Sequence, residues 1–243
     1  MKNVAEELSE WIRKKVEEAS AEGVVLGMSG GLDSSVTAVL CKNAFPKSTL
    51  GLIMPCFSDP EDIEHVKQVA EKFDIETKIV DISPVFLAVV ETLGSKAYNG
   101  DIATANLKPR LRMLVLYYFA NKLNYLVVGT GNKSELMIGY FTKYGDGGVD
   151  ILPLGDLLKT EVRTLAEVLG IPKEIIKMPP SAGLWTGQTD EAEIGMSYEV
   201  LDGVLKAMES KDFAGCDLDK VEMVKDMIKK AGHKREKTPV AYL

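Results

Sequence analysis

A short loop rich in glycine and hydroxyl groups follows the first apolar run of the chain and contains one carboxylate. Residues 24–26 read VVL, and residues 27–35 read GMSGGLDSS. The stretch 27–31 matches the G-x-S-x-G elbow, which presents a nucleophilic serine after a strand. The stretch 29–34, SGGLDS, is typical instead of a loop that binds phosphate through backbone N–H groups and hydroxyls at a helix N-terminus. The sequence therefore admits a hydrolase or a nucleotide-binding enzyme.

The hydrolase interpretation lacks its other parts. A nucleophile elbow needs a histidine base and oxyanion donors from a loop on an earlier strand. The chain has two histidines, His65 and His233, and no strand is predicted before residue 24. A simple Gly/Ser turn with Asp33 as a helix cap accounts for Gly31 and Asp33 but leaves Ser29 unexplained. We therefore interpret the stretch as a phosphate loop formed by Gly27, Met28, Ser29, Gly30, Gly31, Leu32, Asp33 and Ser34.

Asp33 indicates which chemistry the loop performs. A carboxylate beside a triphosphate is repelled unless a cation lies between them, so Asp33 indicates a hard divalent metal, most simply Mg²⁺. No glycine of the chain is followed by lysine, and no G-x-G-x-x-G occurs. These absences exclude the P-loop and the dinucleotide-binding fingerprint of dehydrogenases. The pattern predicts an enzyme that binds a nucleoside triphosphate together with magnesium.

The composition limits the possible partners. The chain has 243 residues, 46% of them hydrophobic, and a formal net charge of −7. Such an acidic surface repels nucleic acid and anionic membranes, so we expect neither as a partner. No apolar segment approaches the ~20 residues that a membrane span needs. Cys41, Cys56 and Cys216 are odd in number and far apart, which favours free thiols. We expect one cytoplasmic domain, residues 1–243.

Strands and helices alternate along the chain. Strands are predicted at 24–28, 48–55, 76–82, 125–130 and 150–154, of which 24–28 and 125–130 are apolar runs typical of buried strands. Helical spacing and end signals predict helices at 3–20, 34–44, 60–74, 84–93, 107–123, 160–170, 191–209 and 218–231, with a Gly- and Asn-containing break after residue 93. This alternation is typical of an α/β fold with a doubly wound, mostly parallel five-stranded sheet and helices on both faces.

The SGGLDS loop resembles the SGGxDS pyrophosphate loop of the ATP pyrophosphatases, which activate a carboxylate or carbonyl group by adenylation. Five further strings narrow the resemblance to NAD synthetases over essentially the whole chain, together with His233-Lys234. They are NLKPRLRM (106–113), VGTGNKSE (128–135), YFTKYGD (140–146), PLGDLLKT (153–160) and PSAGLW (180–185). The resemblance implies an adenine nucleotide alpha hydrolase-like fold with strand order 3-2-1-4-5. It also implies ATP-dependent amidation of deamido-NAD to NAD, with release of pyrophosphate and AMP.

The resemblance also implies roles for individual residues. Thr130, Lys159 and Ser181 would contact ATP beside the phosphate loop, with Asp33 and Lys159 as catalytic groups and Lys159 stabilising the developing negative charge. In the implied strand order the first and fourth strands are neighbours, so Asp33 and Glu135 would meet and bind Mg²⁺. Each of these acids is also explained as a helix cap or a first-turn acid. The residues implied for deamido-NAD are Arg110, Lys143, Asp150, His233 and Lys234.

Three further expectations concern the assembly and the nitrogen donor. Residues 111–120 are apolar almost all round apart from Arg112, and NAD synthetases are homodimers, so we expect a homodimer. Pro109 departs from the family pattern, but the first helical turn tolerates proline. The chain shows no glutaminase domain, so we expect free ammonia as the donor. Another adenylating amidotransferase and a nucleotide-binding module without turnover remain as alternative functions.

Overall fold

The computed structural model describes residues 1–95, 101–185 and 187–241. In this part of the chain four strands form one parallel sheet, with Val25 of the first strand paired to Leu50 and Val127 of its two neighbours. The strands are β1 (Gly23–Gly27), β2 (Thr49–Ile53), β3 (Glu76–Ile79) and β4 (Tyr125–Val128). Their order is β3-β2-β1-β4, which confirms the predicted order of the first four strands and places β1 beside β4.

The predicted fifth strand at 150–154 is wrong. This segment meets β4 at a single bridge, between Ile151 and Val128. The N–H of Val127 donates to the Asp150 carboxylate at 2.8 Å rather than to a backbone carbonyl. Two residues after the bridge Pro153 has no N–H to donate, and the chain turns there, with the Gly155 N–H bonded to the Leu152 carbonyl at 3.1 Å. The pairing ends because the Asp150 side chain bonds to the Val127 N–H and the Leu152 carbonyl is used in a turn, so neither group is available for a longer ladder.

Helices cover both faces of the sheet, as predicted. Val24 and Leu26 of β1 face one core cluster and Val25 faces another, as the two-residue period of a strand requires. The helices are α1 (Lys2–Glu18), α2 (Leu32–Ala44), α3 (Pro60–Phe73), α4 (Ser83–Thr92), α5 (Ile102–Ala105), α6 (Leu107–Leu123), α7 (Lys133–Ile138), α8 (Lys159–Leu169), α9 (Lys173–Lys177), α10 (Asp190–Ile194), α11 (Tyr198–Ser210), α12 (Leu218–Lys230) and α13 (Gly232–Arg235). Helices α1, α2, α3 and α8 contribute to the first cluster, and α4 and α6 to the second.

The predicted helix 191–209 is divided in two. Gly195 ends α10 with a φ of 79°, and the Ser197 side chain accepts from the Val200 N–H and starts α11. The short helices α5, α7 and α9 were not predicted, because four to six residues carry little periodic signal. The break predicted after residue 93 falls partly outside the described residues.

A third apolar cluster joins the C-terminal helices to the sheet layer. Tyr198, Leu201 and Val204 of α11 pack there with Ile138 of α7 and Leu158, which directly precedes α8. Helices α7 and α8 both begin beside the carboxyl ends of β1 and β4, so this cluster fixes the part of the molecule that faces the phosphate loop. None of the helices in the described ranges is long and apolar enough to cross a membrane.

Candidate active site

The predicted phosphate loop lies between β1 and α2 and is closed by its own hydroxyl groups. The Ser29 N–H donates to Ser34 Oγ at 3.2 Å, and Ser34 Oγ donates to the Gly31 carbonyl at 3.0 Å. Ser35 Oγ reaches the same carbonyl at 2.8 Å. These bonds hold the loop in one conformation before any anion arrives. The arrangement suits phosphate binding, because the N-terminus of α2 adds its positive end.

Gly30 is the position in this loop that tolerates no side chain. Its φ is 88°, and a Cβ there would lie 2.4 Å from the Asp62 carbonyl oxygen. We expect Gly30→Ala to lower the free energy of unfolding by about 2 kcal/mol, from the left-handed conformation and the clash together, and to weaken ATP binding. Gly31→Ala is the matched control, since a Cβ there meets only Ser29 Oγ at 3.5 Å. Thermal unfolding of both variants checks this, and equal losses would contradict it.

Three charged side chains meet at the carboxyl edge of β1 and β4. Asp33 lies in the first turn of α2, Glu135 in the first turn of α7, and Lys159 is the first residue of α8. Lys159 Nζ donates to Asp33 Oδ2 and, at 3.2 Å, to Glu135 Oε1. Their side chains are 5%, 14% and 15% exposed for Lys159, Asp33 and Glu135. The structure therefore brings together the two acids predicted as metal ligands and the lysine predicted to be catalytic.

Burial and mutual charge set the protonation of this cluster. Burial raises the pKa of Glu135, Lys159 lowers it and Asp33 raises it, with a net value of about 7. Burial lowers the pKa of Lys159, but the Asp33 and Glu135 carboxylates outweigh it and raise the pKa above its usual value. Lys159 is therefore a permanent ammonium group. When both acids are ionised the cluster carries a net negative charge, which favours a further cation.

The donor set fits magnesium. Within 1–95, 101–185 and 187–241 no group of three or more His, Cys, Asp or Glu side chains is arranged to hold a metal alone. Asp33 and Glu135 both reach one small cation, the Lys159 ammonium, and both offer hard oxygen ligands. Mg²⁺ is commonly held by one or two carboxylates, with waters and substrate phosphates as the other ligands. The pair is suited to a metal that arrives with a triphosphate.

A cavity of about 470 Å³ opens in front of the cluster. Arg112 lines it, with Nε donating to the Met54 carbonyl at 3.2 Å. The sequence interpretation assigned Arg112 no role, although a lone charge in the apolar stretch 111–120 was a usable signal. Gly30 is absent from the lining because its backbone turns toward Asp62. The predicted ATP-binding residues that line the cavity are Gly27, Met28, Ser29, Gly31, Leu32, Asp33, Ser34, Thr130, Lys159 and Ser181.

Two buried residues beside the cluster were missed. The Tyr198 hydroxyl lies 3.2 Å from Asp190 Oδ2 and 3.4 Å from Glu135 Oε1, and its ring lies 5.0 Å from Lys159 Nζ. Asp190 also accepts from the Tyr140 hydroxyl at 3.1 Å. Burial raises the pKa of Tyr198, and the Glu135 carboxylate raises it further, so its hydroxyl stays protonated. No spacing in the sequence links these residues to the phosphate loop.

The residues predicted for deamido-NAD are more dispersed. Of the five, Lys234 lines the cavity, and its Nζ donates to the Gly139 and Phe141 carbonyls at 2.7 Å each. Lys143 Nζ donates to the His233 carbonyl, and Arg110 Nη2 lies 3.5 Å from the Lys143 carbonyl, so these three form a basic group near Lys234. Asp150 is separate and accepts from the Tyr117 hydroxyl at 2.9 Å. For all five residues, Lys234 included, the binding role stays a prediction.

Comparison with known proteins identifies the family to which the chain belongs. The protein-family model for NAD synthase matches residues 4–238. The NH(3)-dependent NAD(+) synthetases of Carboxydothermus hydrogenoformans and Methanocaldococcus jannaschii are each 49% identical to this chain. The first alignment covers 95% of this chain and 93% of the relative, and the second 98% and 96%.

Solved structures agree with the family match. The NMN synthetase of Francisella tularensis superimposes with a TM-score of 0.91 at 33% identity, covering 100% of this chain and 98% of that one. The NH3-dependent NAD synthetase of Campylobacter jejuni superimposes with a TM-score of 0.85 at 30% identity, covering 99% of both chains. On the match of residues 4–238 and these near full-length similarities, the chain belongs to the NAD synthase family.

Proposed function

We propose that this chain makes NAD from deamido-NAD, ATP and ammonia. The observation that carries the proposal is the buried cluster of Lys159, Asp33 and Glu135 beside the phosphate loop, in a chain whose relatives are named for this reaction. An oxygen of the nicotinate carboxylate attacks the α-phosphorus of ATP, and the bond between the α- and β-phosphates breaks to release pyrophosphate. Ammonia then attacks the carbonyl carbon of the adenylate, AMP leaves, and a proton is lost to give the amide.

The residues of the cavity have different roles in adenylation. The Ser29 hydroxyl and those loop N–H groups that are not bonded within the loop hold the departing pyrophosphate, and Thr130 and Ser181 contact ATP. Lys159 is held as an ammonium group at the edge of the phosphate site, where it stabilises the negative charge that develops on the leaving oxygens. Asp33 and Glu135 would hold Mg²⁺, which would neutralise phosphate charge when bound.

The assay for this proposal uses purified protein with ATP, Mg²⁺, deamido-NAD and ammonium. We expect NAD, AMP and pyrophosphate in equal amounts, and none of them when deamido-NAD is omitted. Formation of ADP would contradict adenylation. Replacing ammonium by glutamine tests the nitrogen donor, and we expect no NAD from glutamine with this chain alone.

A second candidate substrate is nicotinate mononucleotide. The observation that favours it is that only Lys234 of the five residues predicted for the dinucleotide lines the cavity of one chain, while the NMN synthetase superimposes with a TM-score of 0.91. The same assay with nicotinate mononucleotide in place of deamido-NAD separates the two. We expect the larger kcat/KM for deamido-NAD, and a larger value for the mononucleotide would reassign the substrate.

A homodimer is the assembly that we propose. Leu114 and Tyr118, one turn apart on α6, are 61% and 59% exposed, and a second copy of the chain would cover them. The basic group of Arg110, Lys143 and His233 supports binding of the dinucleotide outside the cavity of one chain. We propose a single cytoplasmic domain over residues 1–243, and three free cysteines support the reducing compartment.

We expect light scattering to give twice the chain mass for the unaltered protein. Leu114→Glu places a charge at the proposed interface and should weaken the dimer at least 30-fold, which corresponds to about 2 kcal/mol. Leu218→Glu on α12 is the control, because Leu218 is equally exposed, at 68%, on another surface. A monomeric mass for the unaltered protein at micromolar concentration would contradict the dimer.

A further inference from the structure

The helix that carries Lys159 begins without a side-chain acceptor at its N-cap position. The first N–H groups of a helix have no partner within the helix, and a Ser, Thr, Asp or Asn side chain at the preceding position usually accepts from one of them. The preceding residue of α8 is Leu158, whose side chain has no acceptor atom. Glu161 Oε2, in the first turn of α8, accepts from the Leu158 N–H at 3.0 Å, so the Lys159 and Thr160 N–H groups are the ones that need acceptors from elsewhere in the fold.

Two buried side chains from other helices supply them. The Lys159 N–H donates to Ser134 Oγ at 2.9 Å, and the Thr160 N–H donates to Asp202 Oδ2 at 2.9 Å. Ser134 Oγ in turn donates to Asp202 Oδ1. Ser134 is 0% exposed and Asp202 is 2% exposed, so water does not compete for these bonds. The Lys159 N–H, the Ser134 hydroxyl, the Asp202 carboxylate and the Thr160 N–H thus form one connected set of hydrogen bonds. Asp202 is the acceptor at its end.

The same bonds reach the second member of the charged cluster. Ser134 lies in α7 and directly precedes Glu135, so the bond from Ser134 to Asp202 ties the Glu135 backbone to α11. Asp202 therefore holds both helix starts from one side, while the Lys159 and Glu135 side chains meet on the other. A carboxylate that accepts from buried donors is a stronger anchor than a neutral acceptor.

We propose that Asp202 is a positioning residue for adenylation, acting through Ser134 and the Thr160 N–H to fix Lys159 relative to Glu135. This inference rests on the proposed function, since it assigns a purpose to the alignment of those two groups. Asp202 lies outside the cavity lining, so it acts through the residues that it holds in place. A displacement of about 1 Å in a reacting group costs roughly 100-fold in rate, so loosening this anchor should lower kcat more than substrate affinity.

The first test compares Asp202→Ala with Ser197→Ala. We expect Asp202→Ala to lower kcat roughly 10- to 100-fold, with KM for ATP and for deamido-NAD within about 3-fold of the unaltered enzyme. Ser197→Ala removes the N-cap of the same helix but leaves the Asp202 bonds in place, so its kcat should stay within about 2-fold. A kcat within 2-fold for Asp202→Ala, or an equal fall in Ser197→Ala, would overturn the proposal.

Two more variants keep the test decisive. Asp202→Asn retains an oxygen that accepts from the Thr160 N–H, and we expect it to recover kcat to within about 5-fold. Ser134→Ala removes the bonds from Ser134 to Asp202 and to the Lys159 N–H. This variant tests the positioning role if Asp202→Ala does not fold. There we expect kcat to fall about 3- to 10-fold at unchanged KM, because the bond from Asp202 to Thr160 remains. Unchanged kcat in Ser134→Ala would then overturn the proposal.

Amide hydrogen exchange gives a readout that does not depend on turnover. We expect exchange at Lys159 and Thr160 to rise at least 10-fold in Asp202→Ala and to stay unchanged in Ser197→Ala. If the unaltered protein made no NAD, the proposed function would fail, while the exchange data would still decide whether Asp202 anchors α8. Equal exchange in Asp202→Ala and the unaltered protein would remove Asp202 from any positioning role.

Discussion

We expect Lys159→Met to lower kcat about 100- to 1,000-fold, which is the range found when one preorganised electrostatic group is removed from an active site. Methionine keeps most of the length and volume of lysine, so the cavity wall is preserved. What is lost is the ammonium group that bonds to Asp33 and Glu135. The charge that develops on the departing pyrophosphate then has one stabilising group fewer.

The pH dependence of this variant gives a second expected result. Burial raises the pKa of Glu135 and Lys159 lowers it, with a net value of about 7. Without the lysine the pKa of Glu135 moves further upward, so the acid is protonated over a wider range around neutral pH. The residual kcat should therefore rise with pH above 7, whereas the unaltered enzyme should reach its plateau at lower pH.

Lys133→Met is the matched control for Lys159→Met. Lys133 is likewise the first residue of its helix and pairs with two acids, Asp156 at 3.0 Å and Glu209 at 2.7 Å. It lies outside the cavity lining. Initial rates at saturating ATP and deamido-NAD should show kcat within about 2-fold for this control, as is usual for surface ion pairs. A Lys159→Met enzyme that kept a tenth of its kcat would contradict the role assigned to Lys159.

Asp33→Asn should depress turnover at least about 100-fold and raise the Mg²⁺ concentration needed for half of the maximal rate about 10-fold. Asparagine has the same shape, but its amide oxygen carries no full charge and binds a hard divalent cation weakly. The remaining carboxylate, that of Glu135, would have to hold the metal alone, and it also pairs with Lys159. Both effects act on the charge balance that pyrophosphate release requires.

Asp62→Asn separates this effect from a general loss of negative charge. Asp62 also lines the cavity, but on α3 beside Gly30 and without a bond to Lys159. Its variant should keep its Mg²⁺ dependence within about 3-fold of the unaltered enzyme. Calorimetric titration of Mg²⁺ in the presence of ATP checks metal affinity independently of turnover. Full activity in Asp33→Asn would remove Asp33 from the mechanism.

The sheet and the central cluster could be predicted because their signals are local. The strands β1, β2 and β4 are apolar runs bounded by turn residues, and the parallel order places the ends of β1 and β4 side by side. Asp33 and Glu135 follow those two strands directly, in one case within the phosphate loop and in the other at the start of α7. Their meeting follows from strand order, with no knowledge of side-chain packing.

The fifth strand and the surrounding residues could not be predicted in the same way. Whether Ile151 extends a ladder depends on the Asp150 carboxylate taking the Val127 N–H, which no pattern of hydrophobicity records. Tyr198 and Asp202 reach the cluster only because α11 packs on α7 and α8 through an apolar cluster. Such contacts between distant segments are set by tertiary packing, and their residue types alone indicate no more than an amphipathic helix.

The hydrogen bonds that Ser134 and Asp202 supply to the start of α8 have a consequence for how the active site is assembled during folding. The Lys159 and Thr160 N–H groups gain their hydrogen bonds only when α7 and α11 have docked, and isolated helices of this length are marginal in water. Asp202 lies about four-fifths of the way along the chain, so during synthesis on the ribosome Lys159 is made well before its anchor. The start of α8 is therefore fully bonded only after α11 has docked on α7 and α8, so the position of Lys159 in the active site depends on the C-terminal part of the chain.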